Sequence, residues 1–230
     1  VILPWLTQIA ADGSAALASH PDAVAYLFRR GVLPEEFASH QLGMLPADYP
    51  LPPCTAEFAE WQKWYLRGRL LFPITATIGD VVGLQTRALH DKKHQMFYGA
   101  SRDVFVPAYG IGPAATLMYE RQQVVVVEGM FDYFAVRRAG VENVVALMTS
   151  HSNRALNKML GRYCKRVIAL LDMDAAGRGG VNSLLYDQTF EVVAPVYPAN
   201  DPADLIQMSG GLQLLTALVA PAKERYGLWV

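Results

Sequence analysis

Val124–Asp132 reads VVVVEGMFD, and Val167–Arg178 reads VIALLDMDAAGR. In each stretch an aliphatic run stops at carboxylates: Glu128 and Asp132 after the first, Asp172 and Asp174 after the second. Unbroken aliphatic runs of this kind predict strands buried in a parallel sheet. Open α/β sheets carry their ligand sites beyond the carboxyl ends of the strands. Acids gathered there repel one another unless a cation lies between them, and all-oxygen ligation suits Mg²⁺ or Mn²⁺. The two stretches together predict a divalent-metal site that handles phosphates.

The spacing agrees with that chemistry. Residues i and i+2 of a strand share a face, so Asp172 and Asp174 can reach one side while Met173 packs on the other. Gly129 gives a tight exit from the first strand and lets a substrate approach the backbone. Phe131–Ala139 reads as a helix stopped by Gly140. Ala175-Ala176-Gly177 opens another, whose N-terminus favours an anion and brings Arg178 into reach of one. A lone DxD is common, and a strand-end acid often only caps the next helix. Two such pairs, each behind an aliphatic run, are far less expected by accident.

From Val124 the pattern alternates as βαβαβαβ, with strands near 124–127, 144–147, 167–171 and 191–196. It predicts an α/β fold with a parallel sheet sandwiched by helices. The preceding part reads as a smaller α+β subdomain. Residues 1–60 are mostly helical in pattern, broken at Pro46, Pro50, Pro52 and Pro53. Leu66–Ile74 and Val81–Leu89 form a hairpin turned at Ile78-Gly79-Asp80. The expected domains are 1–122 and 123–230.

Composition narrows the class. With 230 residues, 52% of them hydrophobic, the chain can bury one large or two small cores. The net charge of −1 carries no global nucleic-acid signal, but the local charge does. Residues 61–102 hold seven Lys and Arg against Asp80 and Asp91, and 137–166 hold seven against Glu142 alone. Arg154, Lys158 and Arg162 recur every four residues, the pattern of a solvated helix face. Cys54 and Cys164 are the only cysteines, which suits a reducing cytoplasm and offers no zinc module. No GxxxxGK[ST] loop, HExxH pair or membrane-spanning run is present in the sequence.

The paired acidic motifs resemble the Toprim domain shared by DnaG-type primases, type IA and II topoisomerases and some nucleases. Val124–Leu185 is similar to the primase version, whose last motif, DGDxAGxxA, matches Asp172, Asp174, Ala176 and Gly177 in register. Thr149 falls where that family has the Thr of a Gly-Thr step, with Met148 in place of the Gly. Asn200-Asp201-Pro202-Ala203-Asp204 resembles its later acidic motif. Further upstream, Ala25-Tyr26-Leu27 with Arg30-Gly31, then Gln41-Leu42-Gly43, is similar to the opening of the primase core. Arg69–Ile74 with Gly79, Gly83 and Arg87 resembles its RIMFPI hairpin, and Ala108-Tyr109-Gly110 its LYG. Two segments depart from the pattern: Lys92–Phe97 stands where the family has Lys-Tyr-Leu-Asn, and Val106-Pro107 stand where it has a Lys.

The resemblance implies a primase catalytic core: metal-dependent, template-directed primer synthesis on single-stranded DNA, in the cytoplasm of a bacterium or of a virus-infected cell. It implies two Mg²⁺ or Mn²⁺ ions, nucleoside triphosphates as substrates and a replicative helicase as a further partner. Asp172 and Asp174 are the leading metal ligands, with Asp132, Asp201 and Asp204 completing or supporting the cluster. Glu128 is either a ligand or the general acid/base. Arg69, Arg87, Lys93, Gly129 and Arg178 are the expected template or nucleotide contacts. A Toprim nuclease would use nearly the same acids with water as nucleophile, and a non-catalytic nucleic-acid-binding component of the replisome is the third reading.

Overall fold

The computed structural model describes residues 4–53, 63–76, 79–90, 94–98, 108–186 and 189–227. Cys54, Ile78, Lys92, Lys93 and Val106-Pro107 lie outside the described residues. The chain divides into two compact units, 1–101 and 102–230.

The first unit opens with helices α1 (Pro4–Ala16), α2 (Pro21–Arg29) and α3 (Pro34–Ser39). An antiparallel sheet follows: β1 (Gly43–Met44), β2 (Leu70–Thr75), β3 (Val81–Arg87) and β4 (His94–Tyr98), in that spatial order. The expected hairpin is β2–β3, with Gly79 at φ +90° in its turn. Pro73 sits within β2 without breaking it. Among the described residues β1 pairs only with Leu70 and Leu71, so further along β2 is an edge, where a missing N–H costs no ladder bond. The core joins Leu6, Ile9 and Ala10 of α1 to Leu71 and Leu84 of the sheet.

The second unit is the expected alternation. Helix α4 (Ile111–Arg121) leads into β5 (Gln123–Val127), α5 (Met130–Arg138), β6 (Val144–Ala146), α6 (Arg154–Tyr163), β7 (Arg166–Leu170), α7 (Ala175–Leu185) and β8 (Glu191–Val193). Helices α8 (Pro202–Leu205) and α9 (Gly211–Val219) follow. All strands are parallel, in the order β6-β5-β7-β8. Every residue of β5 is buried, which explains its unbroken valines.

The division between the units falls at 101/102, whereas the pattern reading puts it at 122/123. The physical reason is α4: its Ile111, Ala114 and Met118 pack into the same core as Val124, Val126 and Val167. A helix with no strand before it in the alternation gives no sequence signal of which sheet it covers.

The end of the chain is tied back beneath the sheet. Asn143, fully buried, donates from Nδ2 to Gln123 O (2.8 Å) and Ala222 O (3.0 Å) and accepts from Arg121 Nη1 (2.7 Å). Gln123 Nε2 donates to Pro221 O and Glu224 O. Asn143→Ala leaves several of these buried groups without partners. We expect it to cost about 1–3 kcal/mol in urea unfolding, the usual scale for a polar group stranded in a core.

Candidate active site

β5 and β7 are neighbours, paired Val127 to Leu170, and the chain leaves β5 toward β6 on one side and reaches β7 on the other. Ligands bind in α/β sheets at such a switch between adjacent strand ends. Glu128 stands one residue beyond β5 and Asp172 two beyond β7. The carboxylates thus meet because two buried strands end side by side.

The two N-terminal turns that follow fix these acids. At the start of α5, the Asp132 carboxylate accepts from Gly129 N (3.0 Å) through Oδ2 and from Ala203 N (3.0 Å) through Oδ1. At the start of α7, Asp174 Oδ1 accepts from Gly177 N (2.9 Å). Gly177 is required by a close approach: a Cβ there would overlap the carbonyl oxygen of Asp172. Asp201 caps α8 in the same way, accepting from Asp204 N (2.6 Å).

Several partners that the sequence reading did not nominate hold the second strand end. Asn200 Nδ2 donates to Asp172 Oδ2 (3.3 Å), Met173 N donates to Asn200 O (2.7 Å), and the buried Tyr197 hydroxyl donates to Leu171 O (2.7 Å). Only the position of Asn200 next to the DPAD run hinted at such a role. Met148 N donates to Glu128 O (2.8 Å) from a left-handed conformation, φ +61°. The Gly that resembling sequences carry at that position suits such a backbone without strain.

The electrostatics record the crowding. Burial, then the charges of Asp172, Asp174 and Asp201, push the Glu128 carboxyl up to about 7. Its Oε2 is buried without a hydrogen-bond partner among the described residues. Burial and then Asp201 hold Asp172 above the ordinary carboxylate range, and Asp132 is raised well above it by the same two causes. Asp204 is exposed and adds its charge to Asp172 from the rim.

Among the described residues, no three His, Cys, Asp or Glu side chains are disposed to hold one metal ion directly. The six acids are therefore not a closed ligand cage, and both Asp132 oxygens are taken by backbone N–H groups. Mg²⁺ keeps several waters and binds through one or two carboxylates plus substrate phosphates. The unpartnered Glu128 oxygen and the half-buried Asp172 beside it fit that open mode of binding.

Comparison with known proteins agrees with this geometry. Residues 125–206 match the Toprim-like family. The DNA primase of Neisseria meningitidis serogroup A is 29% identical over 179 residues, 69% of this chain and 30% of its own length. That of Thermotoga maritima is 30% identical over 154 residues, 62% of this chain and 26% of its own length. The zinc-binding and RNA polymerase domains of the Aquifex aeolicus primase superpose with a TM-score of 0.77 at 26% identity, covering 94% of this chain and 59% of that one. The RNA polymerase domain of Mycobacterium tuberculosis DnaG gives 0.78 at 24%, covering 94% and 82%.

The chain has a DnaG-type primase core with a Toprim domain. It spans about 30% of the length of the curated primase from Neisseria. Primase and Toprim families are generally metal-dependent. In this core the expected template contacts fare unequally. Arg178 is exposed on α7 and Gly129 is half-buried at the N-terminus of α5. Arg87, half-buried on β3, donates from Nε to the Tyr26 hydroxyl (3.2 Å).

Arg69 corrects the reading of it as a contact presented to solvent. It is 3% exposed, with its guanidinium 4.0 Å from the Trp64 ring centroid and 4.5 Å from that of Tyr65. A basic residue at the start of a strand reads as exposed until the aromatic residues that cover it are located. Arg154, Lys158 and Arg162 lie along α6, where Arg154 and Lys158 are exposed, as a solvated stripe requires.

A pH dependence follows from Glu128. Without a cation the folded chain holds this proton up to about 7, whereas the unfolded chain releases it near the ordinary 4.5. Between those values the folded state binds more protons, so this contribution to stability falls as pH rises through the window. Urea unfolding in chelator at pH 5 and pH 8 should show a larger loss for the wild type than for Glu128→Gln. Equal losses would mean that Glu128 ionises normally. A second expectation concerns the close approach behind Asp172: Gly177→Ala should displace that carboxylate and lower the melting temperature, read by thermal denaturation.

Proposed function

We propose that the chain is the catalytic core of a DNA primase that extends a primer on single-stranded DNA from nucleoside triphosphates. The observation that carries this reading is the pair Glu128 and Asp172 at adjacent parallel strand ends, where Glu128 has a buried oxygen without a partner among the described residues. The same acids could serve a Toprim nuclease. The likeness to primase cores extends over 94% of the chain, well beyond the Toprim part, and favours synthesis over hydrolysis. A DnaG primase catalytic domain of similar fold has been solved bound to single-stranded DNA.

In this reading residues 123–230 carry the chemistry, and residues 1–122 hold template and nucleotide. Asp172 and Asp174 are the principal metal ligands, with Glu128 beside them and Asp201 and Asp204 supplying charge from the rim. When bound, two Mg²⁺ or Mn²⁺ ions would neutralise the triphosphate and activate the attacking 3′-hydroxyl. Glu128, whose carboxyl titrates near 7, is suited to take the proton of that hydroxyl at neutral pH. Asp132 is a positioning residue, holding the Gly129 turn against Ala203. The α7 N-terminus and Arg178 face phosphate. A replicative helicase is a further partner in this reading, and the cytoplasm is the expected compartment.

The test is an assay with single-stranded DNA, labelled nucleotides and Mg²⁺ or Mn²⁺, its products resolved by length. Extended products support the reading, and shortening of the template without extension would replace it with the nuclease. Asp172→Asn should abolish synthesis while leaving the fold as stable or more so, since a crowded charge is removed. Glu128→Gln should slow synthesis by at least about 100-fold. Full activity in the Asp172→Asn, Asp174→Asn double variant would remove these acids from the chemistry.

A further inference from the structure

The first unit contains a cleft of about 900 Å³ lined by Lys63, Trp64, Arg67, Arg69 and His90, with Ala88 and Leu89 among its apolar residues. No carboxylate is among the described residues that line it. Trp64 is 52% exposed, an unusual state for the largest apolar side chain. Its orientation is nonetheless fixed. The Arg69 guanidinium lies against the indole, and Tyr65 meets it nearly edge-on, with centroids 4.8 Å apart at 83°. Gly68, at φ +62°, turns the chain between Arg67 and Arg69. Arg69 goes beneath the rings, while Arg67 donates from Nε to Tyr49 O (2.9 Å) and lines the cleft.

We propose that Trp64 is a stacking platform for one unpaired base of a single DNA strand, with Lys63, Arg67 and His90 taking the flanking phosphates. The inference rests on the reading of the chain as a nucleic-acid enzyme and adds to it a residue that holds the strand. Three observations converge on that ligand. An indole backed by a buried guanidinium is rigid, so stacking on it loses little side-chain freedom. Its exposed surface opens on a cleft whose charged side chains, among the described residues, are all basic, which selects an anion. A planar apolar face beside cationic side chains is the arrangement by which proteins hold single strands without reading sequence. A free nucleoside triphosphate shares this chemistry, and the experiment separates the two.

The experiment measures binding of a fluorescent oligothymidylate to the whole chain in chelator, at two salt concentrations, for wild type, Trp64→Leu, Trp64→Phe and Arg67→Ala. Trp64→Leu should weaken binding by about 5- to 140-fold, the scale of base–aromatic stacking, with the salt dependence unchanged because no phosphate contact is lost. Arg67→Ala should lower the salt slope by about one unit. Trp64→Phe keeps a ring and should bind within about threefold of wild type. It should lose the part of the tryptophan quenching on oligonucleotide binding that Trp64 supplies, which keeps the test valid if Trp64→Leu does not fold. Wild-type affinity in a folded Trp64→Leu, or undiminished quenching in Trp64→Phe, overturns the proposal. So does a loss confined to titrations with a free nucleoside triphosphate. The assay needs neither metal nor turnover, so failed primer synthesis leaves this inference standing, and unaltered binding leaves the primase reading standing.

Discussion

The second unit's site depends on the Asp132 carboxylate. It is 7% exposed, and each of its oxygens accepts one backbone N–H, from Gly129 and from Ala203. The first bond sets the turn by which the chain leaves β5, and with it the position of Glu128. The second holds the acidic loop, 71 residues further on, against the same turn. Helix α8 has only four residues and cannot persist by its own hydrogen bonding. Burial and the neighbouring Asp201 push the Asp132 pKa up, while the two N–H donors pull it down. A buried carboxylate with both oxygens occupied is an anchor, and it frees Glu128 and Asp172 to face a ligand.

The crowding at the strand ends is a local cost built into a stable scaffold. β5 and β7 bury nearly all their side chains, so the sheet fixes their ends rigidly. What projects beyond those ends cannot relax apart. Glu128 and Asp172 therefore remain raised in pKa in the absence of a cation, first through burial and then through the neighbouring carboxylates. A cation shared with phosphates relieves the same repulsion. Binding strength at such a site comes from strain that the scaffold sustains.

The first unit shows the complementary use of charge. A guanidinium drawn out of water beside two aromatic rings retains favourable interactions with their faces. In doing so it orders the rings. The basic side chains that remain at the cleft's edge, Lys63, Arg67 and His90, act on a surface already shaped by Arg69.

The alternation of strands and helices after Val124, the hairpin around Gly79 and the convergence of Glu128 and Asp172 are all legible in the sequence, because each depends on periodicity or on residues beside a strand end. The ownership of α4 is not, since its apolar positions fit either sheet until Ile111 and Met118 find the parallel one. Nor is the division of labour among the acids. Asp132 and Asp172 look equivalent in the chain, yet one is saturated by backbone donors and the other accepts a bond from Asn200. Local sequence determines which side chains stand at the mouth of the sheet. Which of them remain open to a ligand is decided by donors that arrive from distant segments, and only the folded chain brings those donors within reach.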